Sequence, residues 1–393
     1  MLHWFELGRE FKLSIAEILS VFKDASVIYS GKSVLILDNI DKQEILQKAD
    51  SLWWTIKIFE LGLKVDKNAV FESVLDEAKL KDWKFNYGFN LYPDKQEKVK
   101  KYLLEIKRSL QKNWVSSRYV NKNDKNLSSA QILWNSLLKK WADFNLIDLD
   151  WIFYFWKTIW VQDIDAYSAR DYGKSRDMDI GMLPPKLSQI MINLSRDNWK
   201  EINSLYDPFV WLWTILIEWA YMWIKKLFGS DFNPKMVQES KSNLWNLKSK
   251  IWWLEVKIIE FDARDMVDNS ILKENNIDSI VSEWFLWEVM TKKNIWMQRI
   301  DIQKKNLSKL YEKFFSGLKQ VWFSENIVIS FPFWDVKWKY VFFEEIYDIL
   351  DKYCEIQDLF PSEFNFSETK SGSLLYKRPK QLVWREIFKL KIK

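Results

Sequence analysis

Short apolar runs alternate with helix-length segments throughout the second half of the chain. From residue 188 onward the apolar runs read SLYDPF, KKLFGSD, VKIIEFDARD, SIVSEWF and NIVISFPF. Each run has the length of a strand, and the segments between most of them are long enough for a helix. This alternation predicts an α/β fold, with a mostly parallel sheet that is covered by helices on both faces.

The first half follows a different pattern. Residues 1–62 combine the strand-like runs VIYSG and SVLILD with the helical segments LSIAEILSVF and KQEILQKA, which indicates a small α+β unit. Residues 63–162 contain a lysine-rich helix, KVKKYLLEIKRSLQKN, then SSRYVN and a second helix, SSAQILWNSLLKK. Residues 163–187 are polar and contain the pair Pro184-Pro185, which predicts an extended connector. The α/β segment is then 188–393.

The charge balance is mildly basic, with 59 Lys and Arg against 54 Asp and Glu and a net charge of +5. This excess permits an anionic partner without requiring one. The lysine-rich helix is equally well explained as a nucleic-acid contact or as a solvated helix face. A single Cys excludes an intramolecular disulfide and a Cys-based zinc site. A single His, His3, argues against Ser-His-Asp, Cys-His and multi-His metal chemistry, so we expect no metal.

The ratio of Trp to Gly is unusual. The chain contains 25 Trp and only 9 Gly, whereas Gly makes up about 7% of ordinary chains. Because the two counts together approach the ordinary total for these residues, many Trp positions are candidates for glycine. The codon UGA offers a route, since different genetic codes read it as stop, Trp or Gly. We interpret the sequence as one in which UGA-encoded Gly is written as Trp; the alternative is a genuinely Trp-rich chain.

The segment 207–220, DPFVWLWTILIEWA, illustrates this interpretation. As printed, it places two indoles in a turn between a strand and a helix, where large side chains are unfavourable. With Gly at 211 and 213 it reads DPFVGLGTILIEGA, a glycine-rich loop that opens a helix. The other predicted glycine positions are 53, 54, 114, 219, 223, 287 and 384, whereas Trp334 is predicted to be a true Trp.

One apolar stretch has the composition of a membrane span. Residues 208–224 form a 17-residue run with a single charge, Glu218, which is near the minimum length for a spanning helix. With the predicted glycines, the run becomes a loop and a short amphipathic helix. The segment 151–161 is too short to span a bilayer, and MLHWFELGRE has no apolar core of a signal peptide. We therefore expect a soluble, cytoplasmic protein with no membrane partner.

Four acidic residues follow successive predicted strands: Asp207, Asp231, Asp262 and Glu283. Open α/β sheets bind ligands at the carboxyl ends of their strands, where a glycine-rich turn and a helix N-terminus present backbone N–H groups. A single Asp at such a place is commonly a turn former. The ordered series instead predicts a nucleoside-binding crevice, with Asp231 placed to accept from two ribose hydroxyls.

The restored turn DPFVGLGT, followed by GSDFNP, resembles motif I and the acidic loop of S-adenosylmethionine methyltransferases. More specifically, it resembles the DPFxGxGTxLIE signature of THUMP-domain RNA methyltransferases, above all their tRNA guanine-N2 branch. SIAEIL, SLWWTIKI and SSRYVNKNDKNLSSAQILWNSLLKKWADFNLI resemble the N-terminal ferredoxin-like piece and the end of the THUMP domain. MLPPKLSQIMINL and LLYKRPKQLVWREI resemble the entry to the catalytic domain and the C-terminal hairpin, so the resemblance covers most of the chain.

The resemblance implies a Rossmann-like methyltransferase domain over 188–393, preceded by a ferredoxin-like segment over 1–62 and a THUMP-like RNA-binding segment over 63–162. The implied cofactor is S-adenosylmethionine, and the implied partner is tRNA.

The resemblance also assigns roles to the residues at the strand ends. It implies that Asp207, Trp211 and Trp213 cradle the methionine part of the cofactor. Asp231 corresponds to the residue that holds the ribose hydroxyls, and Asp262 to the one that accepts from the adenine amine.

The next motif of the family is D/N-P-P-Y/F, which binds the target amine, and this chain has SEWFLW over 282–287. Here Glu283 takes the place of the acceptor and Phe285 the place of the aromatic that stacks on the base. The paired prolines are absent, and Glu is one methylene longer than Asp. The implied activity is methylation of an exocyclic guanine amine in tRNA. Two alternatives stay open, a DNA or rRNA amino-methyltransferase and an RNA-binding relative without catalysis, and the sequence leaves the oligomeric state open.

Overall fold

The computed structural model describes residues 2–62, 64–81, 84–92, 96–122, 125–149, 152–164, 183–197, 201–211, 214–248, 251, 253–283, 295–361, 369, 371–378 and 381–393. The chain divides into two compact units: unit 1 comprises Met1–Ile15 with Asp24–Lys174, and unit 2 comprises Ala16–Lys23 with Ser175–Lys393. The predicted site residues Trp213 and Phe285, position 287 and most of the connector 163–187 lie outside the described residues.

The strands up to residue 164 are β1 His3–Leu7, β2 Ser26–Ser30, β3 Val34–Asp38, β4 Thr55–Glu60, β5 Lys64–Val65, β6 Phe85–Tyr92, β7 Ser117–Tyr119, β8 Asp143–Leu149 and β9 Ile152–Val161. The helices are α1 Phe11–Val21, α2 Lys42–Lys48, α3 Lys67–Lys79, α4 Gln96–Lys112 and α5 Ser129–Trp134, with a 3₁₀ turn at Ala49–Ser51.

The strands of unit 1 form one sheet in the order β2-β3-β1-β4-β9-β8-β6-β7, with β5 paired to β9. The antiparallel pairing of β4 with β9 joins the segment 1–62 to the segment 63–162 within this sheet. Residues 152–161 of the apolar run therefore form strand β9, which pairs on both sides.

The lysine-rich helix of the sequence is α4, and its two faces differ sharply. Its buried positions recur every three or four residues, at Val99, Leu103, Ile106 and Leu110. Its exposed positions include the cations Lys100, Lys101, Arg108 and Lys112. The apolar stripe holds the helix on its sheet and leaves a basic surface outward.

The strands of unit 2 are β10 Ser204–Asp207, β11 Lys226–Asp231, β12 Glu255–Glu260, β13 Ser279–Glu283, β14 Asn326–Val336, β15 Lys339–Phe342, β16 Cys354–Ile356, β17 Leu374–Tyr376 and β18 Val383–Ile392. Its helices are α6 Pro185–Leu194, α7 Thr214–Tyr221, α8 Pro234–Lys248, α9 Ser270–Glu274, α10 Met297–Gln320 and α11 Glu345–Tyr353, with a 3₁₀ segment at Ala263–Asp268.

The sheet of unit 2 has the strand order β12-β11-β10-β13-β14-β18-β16, with β15 paired to β14 and β17 to β18. Strands β10 to β14 run parallel, whereas β18 runs antiparallel to β14. The order reverses at β10, so the crevice between β10 and β13 is the topological switch point. This architecture confirms the predicted α/β fold, with a mostly parallel sheet in unit 2.

Helices α10 and α11 pack against strands of this sheet through one apolar core, which includes Tyr311, Phe314, Phe331 and Phe388. Among its described residues, the apolar run 208–224 contains the eight-residue helix α7, which is followed by a turn at 222–223. No helix within the described ranges has the length and apolar character needed to cross a bilayer.

Candidate functional site

The candidate site lies at the carboxyl edge of the unit 2 sheet, where β10, β11, β12 and β13 end. Asp207 and Asp231 are the last residues of β10 and β11, Asp262 lies two residues beyond β12, and Glu283 ends β13. The parallel register brings these strand ends to a common edge. The predicted acidic series is therefore gathered at one edge of one sheet.

Asp207 organises the turn after β10. Its Oδ1 accepts from the backbone N–H of Phe209 at 3.0 Å and from Ser282 Oγ at 2.5 Å. The first bond closes an Asx turn, and the second joins β10 to β13. The Asp207 side chain is buried, so these two hydrogen bonds hold the turn in shape from the protein interior.

Asp231 ties the same turn to the neighbouring strand. Its Oδ2 accepts from the backbone N–H of Trp211 at 3.1 Å, and its Oδ1 accepts from the N–H of Asn233 at 2.9 Å. Trp211 has φ of 33°, in the left-handed region that glycine occupies without strain. The turn after β10 therefore makes its close approach to β11 at a position where glycine is favoured.

A cavity of about 180 Å³ opens at this edge. Its lining combines polar and apolar side chains from the ends of β10, β11 and β12 and from α10: Pro208, Phe209, Asp231, Phe232, Asp262, Ala263, Arg264, Asn306, Lys309 and Leu310. Two of the four predicted acids, Asp231 and Asp262, thus share one cavity. Asp207 and Glu283 end the adjacent strands and are not part of the lining of this cavity in the described chain.

Asp262 begins the 3₁₀ segment and accepts from the backbone N–H of Arg264 at 2.9 Å. The guanidinium of Arg264 also donates to both carboxylate oxygens. This ion pair holds the pKa of the Asp262 carboxyl below its usual range. Asp262 is thus an ionised acceptor at the cavity wall, and Arg264 is a cavity residue that the sequence analysis did not identify.

Glu283 ends β13 inside an ion pair. Nε and Nη2 of Arg385, on β18, each lie 2.5 Å from its Oε1. The side chains are only 14% and 5% exposed, respectively. Burial raises the pKa of Glu283, and Arg385 opposes this increase.

The electrostatics of the edge are dominated by carboxyl groups. Burial raises the pKa of Asp207 to about 7, and the nearby charges of Asp231 and Glu283 add to the increase. Burial also raises the pKa of Asp231, against the two backbone N–H groups that it accepts from. No three His, Cys, Asp or Glu side chains converge on a possible metal position in the part of the chain that the structure describes.

The lining of the cavity offers both hydrogen-bond acceptors and apolar surface. Asp231 and Asp262 offer acceptors for hydroxyl and amine groups, while Phe232, Leu310 and Ala263 offer apolar surface for a ring. The sequence signals for the additional residues were weak: Phe232 directly follows Asp231, and Asn306, Lys309 and Leu310 share one helix face through their spacing of three and four. Arg385 had no sequence signal, since it is 102 residues from Glu283.

Comparison with known proteins agrees with this architecture. Residues 173–331 match the family model described as UPF0020, RMKL-like, methyltransferase domain. No curated protein matches the chain.

Solved structures that align with this chain include TrmN from Thermus thermophilus. It has 12% sequence identity, the alignment covers 100% of both chains, and the TM-score is 0.46. A possible methylase from Clostridium difficile 630 has 11% identity over 100% of this chain and 99% of that chain, with a TM-score of 0.45. A predicted N6-adenine-specific DNA methylase from Listeria monocytogenes has 10% identity over 99% and 95%, with a TM-score of 0.42. These likenesses, all at TM-scores below 0.5, say nothing about the substrate.

The strand order, the cavity and the family match together define the class of unit 2 as a Rossmann-like methyltransferase domain. Domains of this class take the transferred methyl group from S-adenosylmethionine, in agreement with the predicted cofactor.

Proposed function

We propose that this protein is a cytoplasmic S-adenosylmethionine-dependent enzyme that methylates an exocyclic guanine amine in tRNA. The observation that carries the proposal is the cavity lined by Asp231 and Asp262, beside the strand end that bears Glu283. S-adenosylmethionine supplies a methyl group that its sulfonium already activates. The chain's own residues then have to bind the cofactor, hold the amine in line and remove a proton from it.

The cofactor contacts follow the predicted roles. Asp231 accepts from the ribose hydroxyls, and Asp262 accepts from the adenine amine. Asp207, which shapes the turn at Trp211, is assigned to the methionine part of the cofactor together with Trp211 and Trp213. Glu283 accepts an N–H of the guanine amine and takes its proton, and Phe285 stacks on the base.

The choice of tRNA rests on the first half of the chain. We assign 1–62 to a ferredoxin-like segment and 63–162 to a THUMP-like segment, with 163–187 as the connector to the methyltransferase domain at 188–393. Helix α4 supports this assignment, because its exposed face carries Lys100, Lys101, Arg108 and Lys112. Such a surface suits the phosphates of an RNA.

The test is single-turnover methylation of unmodified tRNA, with the product nucleoside identified by mass spectrometry. Glu283→Gln keeps the size and one acceptor oxygen but removes the charge. We expect methyl transfer to fall by about 10²–10⁴-fold, the usual contribution of a positioned acid–base group. The affinities for cofactor and for tRNA should hold. Glu274→Gln is the matched control, because Glu274 pairs with Lys257 on the surface of the same unit.

Other results would reassign the function. Methylation of rRNA or DNA instead of tRNA would replace the substrate. Tight binding of cofactor and tRNA without methyl transfer would favour the non-catalytic RNA-binding alternative. Wild-type turnover by Glu283→Gln would show that another group positions the amine.

We also propose that several Trp positions are glycine in the natural protein, encoded by UGA. Among the described residues, six of the nine non-glycine residues with positive φ are Trp: Trp114, Trp141, Trp211, Trp223, Trp322 and Trp338. A left-handed backbone at a residue with a side chain costs roughly 1–2 kcal/mol, and glycine avoids this cost.

Four of these positions end helical turns in the way that glycine usually does. At Trp322, its N–H donates to the Lys319 carbonyl at 3.2 Å, and the N–H of Phe323 donates to the Leu318 carbonyl at 3.1 Å. These two bonds define a Schellman motif with Trp322 at its left-handed position. The same pair of bonds closes the turns at Trp114, Trp141 and Trp223.

Trp338 occupies a second kind of glycine position. It follows Lys337 in the two-residue turn between β14 and β15, and φ is positive at both residues. Such a type I′ turn prefers glycine at its second position. The side chains of Trp322 and Trp338 are 89% and 93% exposed, so the indoles gain little from packing.

The core Trp residues contrast with these six. Trp334 is fully buried in β14, and it stays predicted to be a true Trp. Trp219 is also fully buried, within helix α7, and Trp384 lies in β18, so the backbone at these two positions does not require glycine. The experiment is to sequence the codons and the purified natural protein: TGA and Gly at the six positions support the proposal, and TGG at all six would refute it.

A further inference from the structure

Glu283 and Arg385 form an ion pair across the sheet of unit 2. Glu283 lies opposite Ser330 of β14, and Arg385 lies opposite Pro332 of the same strand. The pair therefore bridges the strands on either side of β14, above the small side chain of Ser330. Because directly paired residues and residues two apart share a face of a sheet, all four side chains project to the same side.

The contact is asymmetric at the carboxylate. Nε and Nη2 of Arg385 both reach Oε1 of Glu283 at 2.5 Å, and neither contact uses Oε2. The Nε contact is a charge-assisted hydrogen bond, which anchors Oε1 of the carboxylate to the guanidinium. The pair thereby orients Oε2, which takes part in neither of these two contacts.

The pair also sets the charge of Glu283. A carboxyl group buried without a cation favours its protonated form, and a protonated carboxyl offers fewer acceptor positions to an amine. The charged groups that act on Glu283 are Arg385 from β18 and, with the opposite sign, Asp207 from β10. Arg385 is thus the cation that favours the carboxylate at this strand end.

We propose that Arg385 is a positioning residue for methyl transfer, which orients Glu283 and keeps it ionised so that Oε2 receives the N–H of the target amine. This inference rests on the proposed function of Glu283. Arg385 acts through Glu283 and does not itself touch the substrate.

The experiment is a double-mutant cycle, measured as single-turnover methylation of tRNA in whichever form of the full chain, printed or glycine-substituted, binds the cofactor. Arg385→Met should lower methyl transfer by about 10- to 100-fold, within the range of coupling between contacting charged residues. In a Glu283→Gln background, the same change should alter the rate by less than about threefold, because the partner is already neutral. Cofactor affinity should hold in all three variants.

The pH dependence of methyl transfer separates positioning from a merely structural effect. Transfer needs the carboxylate, so the rate should rise with pH through the pKa of Glu283. Without Arg385 that pKa is higher, so the rising limb should move to higher pH in Arg385→Met and move back in part in Arg385→Lys. Asp207, whose pKa is about 7, is a second titrating carboxyl group at this edge, so the profiles are repeated in Asp207→Asn. A structural defect would lower the whole profile without moving it.

Two controls keep the outcome decisive. Lys391→Gln removes a cation from the same strand, where Lys391 pairs with Asp197 on the surface, and should leave the rate unchanged. If Arg385→Met fails to fold, Arg385→Lys and the Glu283→Gln, Arg385→Met double variant carry the test, since neither buries an unpaired carboxylate. Additive effects, or an unmoved pH limb, would overturn the role of Arg385. A wild-type protein that methylates no nucleic acid would instead overturn the proposed function and this inference with it.

Discussion

Each unit buries polar and charged side chains in its sheet, but the two groups are built differently. In unit 1, five side chains of β4, β6, β8 and β9 form what we call the Lys57 cluster: Lys57, Asn90, Asp143, Asn145 and Thr158. Lys57 Nζ donates to Asn145 Oδ1 at 3.2 Å and lies 3.9 Å from Asp143 Oδ2. Asn90 Nδ2 donates to Asp143 Oδ1 at 2.9 Å, and Thr158 Oγ1 donates to Asp143 Oδ2.

The strand ends of unit 2 carry what we call the edge cluster: Asp207, Asp231, Asp262 and Glu283. Its carboxyl groups are held by two arginines, by backbone N–H groups and by a serine hydroxyl. Two of its members face a cavity. It has more carboxyl groups than cations, since four carboxyl groups share two arginines.

The comparison shows how to tell a structural polar cluster from a binding site. The Lys57 cluster lies within the sheet, is fully enclosed and matches its charges internally, so its groups satisfy one another. The edge cluster lies at strand ends, and two of its members line a cavity, which we propose takes the cofactor. Removing a member of the first should therefore change stability, and removing a member of the second should change ligand binding.

The largest expected effect is on the stability of unit 1. Asp143→Asn keeps the shape of the side chain but leaves Lys57, which is 1% exposed, without its buried counter-charge. Breaking a buried pair from one side costs about 3–5 kcal/mol of unfolding free energy. Glu6, 3.8 Å from Lys57, favours the lower end of that range. The measurement is urea denaturation, together with a cofactor-binding titration that should show no change.

Asp148→Asn is the matched control for this prediction. Asp148 lies on the same strand, β8, and pairs with Lys98 at 3.0 Å on the surface, where Lys98 is half exposed. Such pairs contribute about 0–1 kcal/mol. Equal losses from the two substitutions would show that the Lys57 cluster has no special structural role.

The next effect is on cofactor binding by the edge cluster. Asp231→Ala should weaken S-adenosylmethionine binding by about 1.5–3 kcal/mol, the range for hydrogen bonds to a charged group. Asp268→Ala is the control, since this carboxylate of the nearby 3₁₀ segment pairs with Lys273 and is largely exposed. Isothermal titration of both variants decides the matter: unchanged affinity in Asp231→Ala would remove Asp231 from the ribose role.

Much of the edge cluster was accessible from the sequence, because strand ends in an α/β pattern are marked by apolar runs that stop at an acid. Asp207, Asp231 and Glu283 end their strands as predicted, and Asp262 follows β12 closely. The contacts of these acids were not accessible. Asp262 pairs with Arg264, two residues away, and Glu283 pairs with Arg385, 102 residues away. No regular spacing in the sequence predicts these two ion pairs.

The Lys57 cluster was missed entirely, for a related reason. Its members come from four strands, and each looks like an isolated polar residue in an apolar run. Strand β9 was hidden in the same way, because its apolar run was considered only as a membrane segment. Sequence patterns report burial along one element, whereas pairing between distant strands appears only once the sheet is assembled.

The smallest expected effect is on the pH dependence of unit 2 stability. It arises from Asp207, the member of the edge cluster that accepts from a hydroxyl and from a backbone N–H group. Burial raises the pKa of Asp207 from 3.8 to about 7 in the folded protein. Between these values the folded state holds a proton that the unfolded state has lost, so stability falls as pH rises through this window. Asp207→Asn keeps an acceptor oxygen for Ser282 and Phe209 but has no proton to lose. The stability of the variant relative to the wild type should therefore increase by about 1 kcal/mol between pH 6 and pH 7, and level off above pH 8. Asp262→Asn supplies the contrast, because Arg264 lowers the pKa of Asp262 in the folded protein. The Asp262 carboxylate therefore contributes to stability at every pH above its unfolded pKa. This contribution is lost only as the pH falls through the lower pKa of the folded state. Urea denaturation at pH 5, 6, 7 and 8 measures both differences, and parallel stability curves for the wild type and Asp207→Asn would show that Asp207 is ionised in the folded protein throughout.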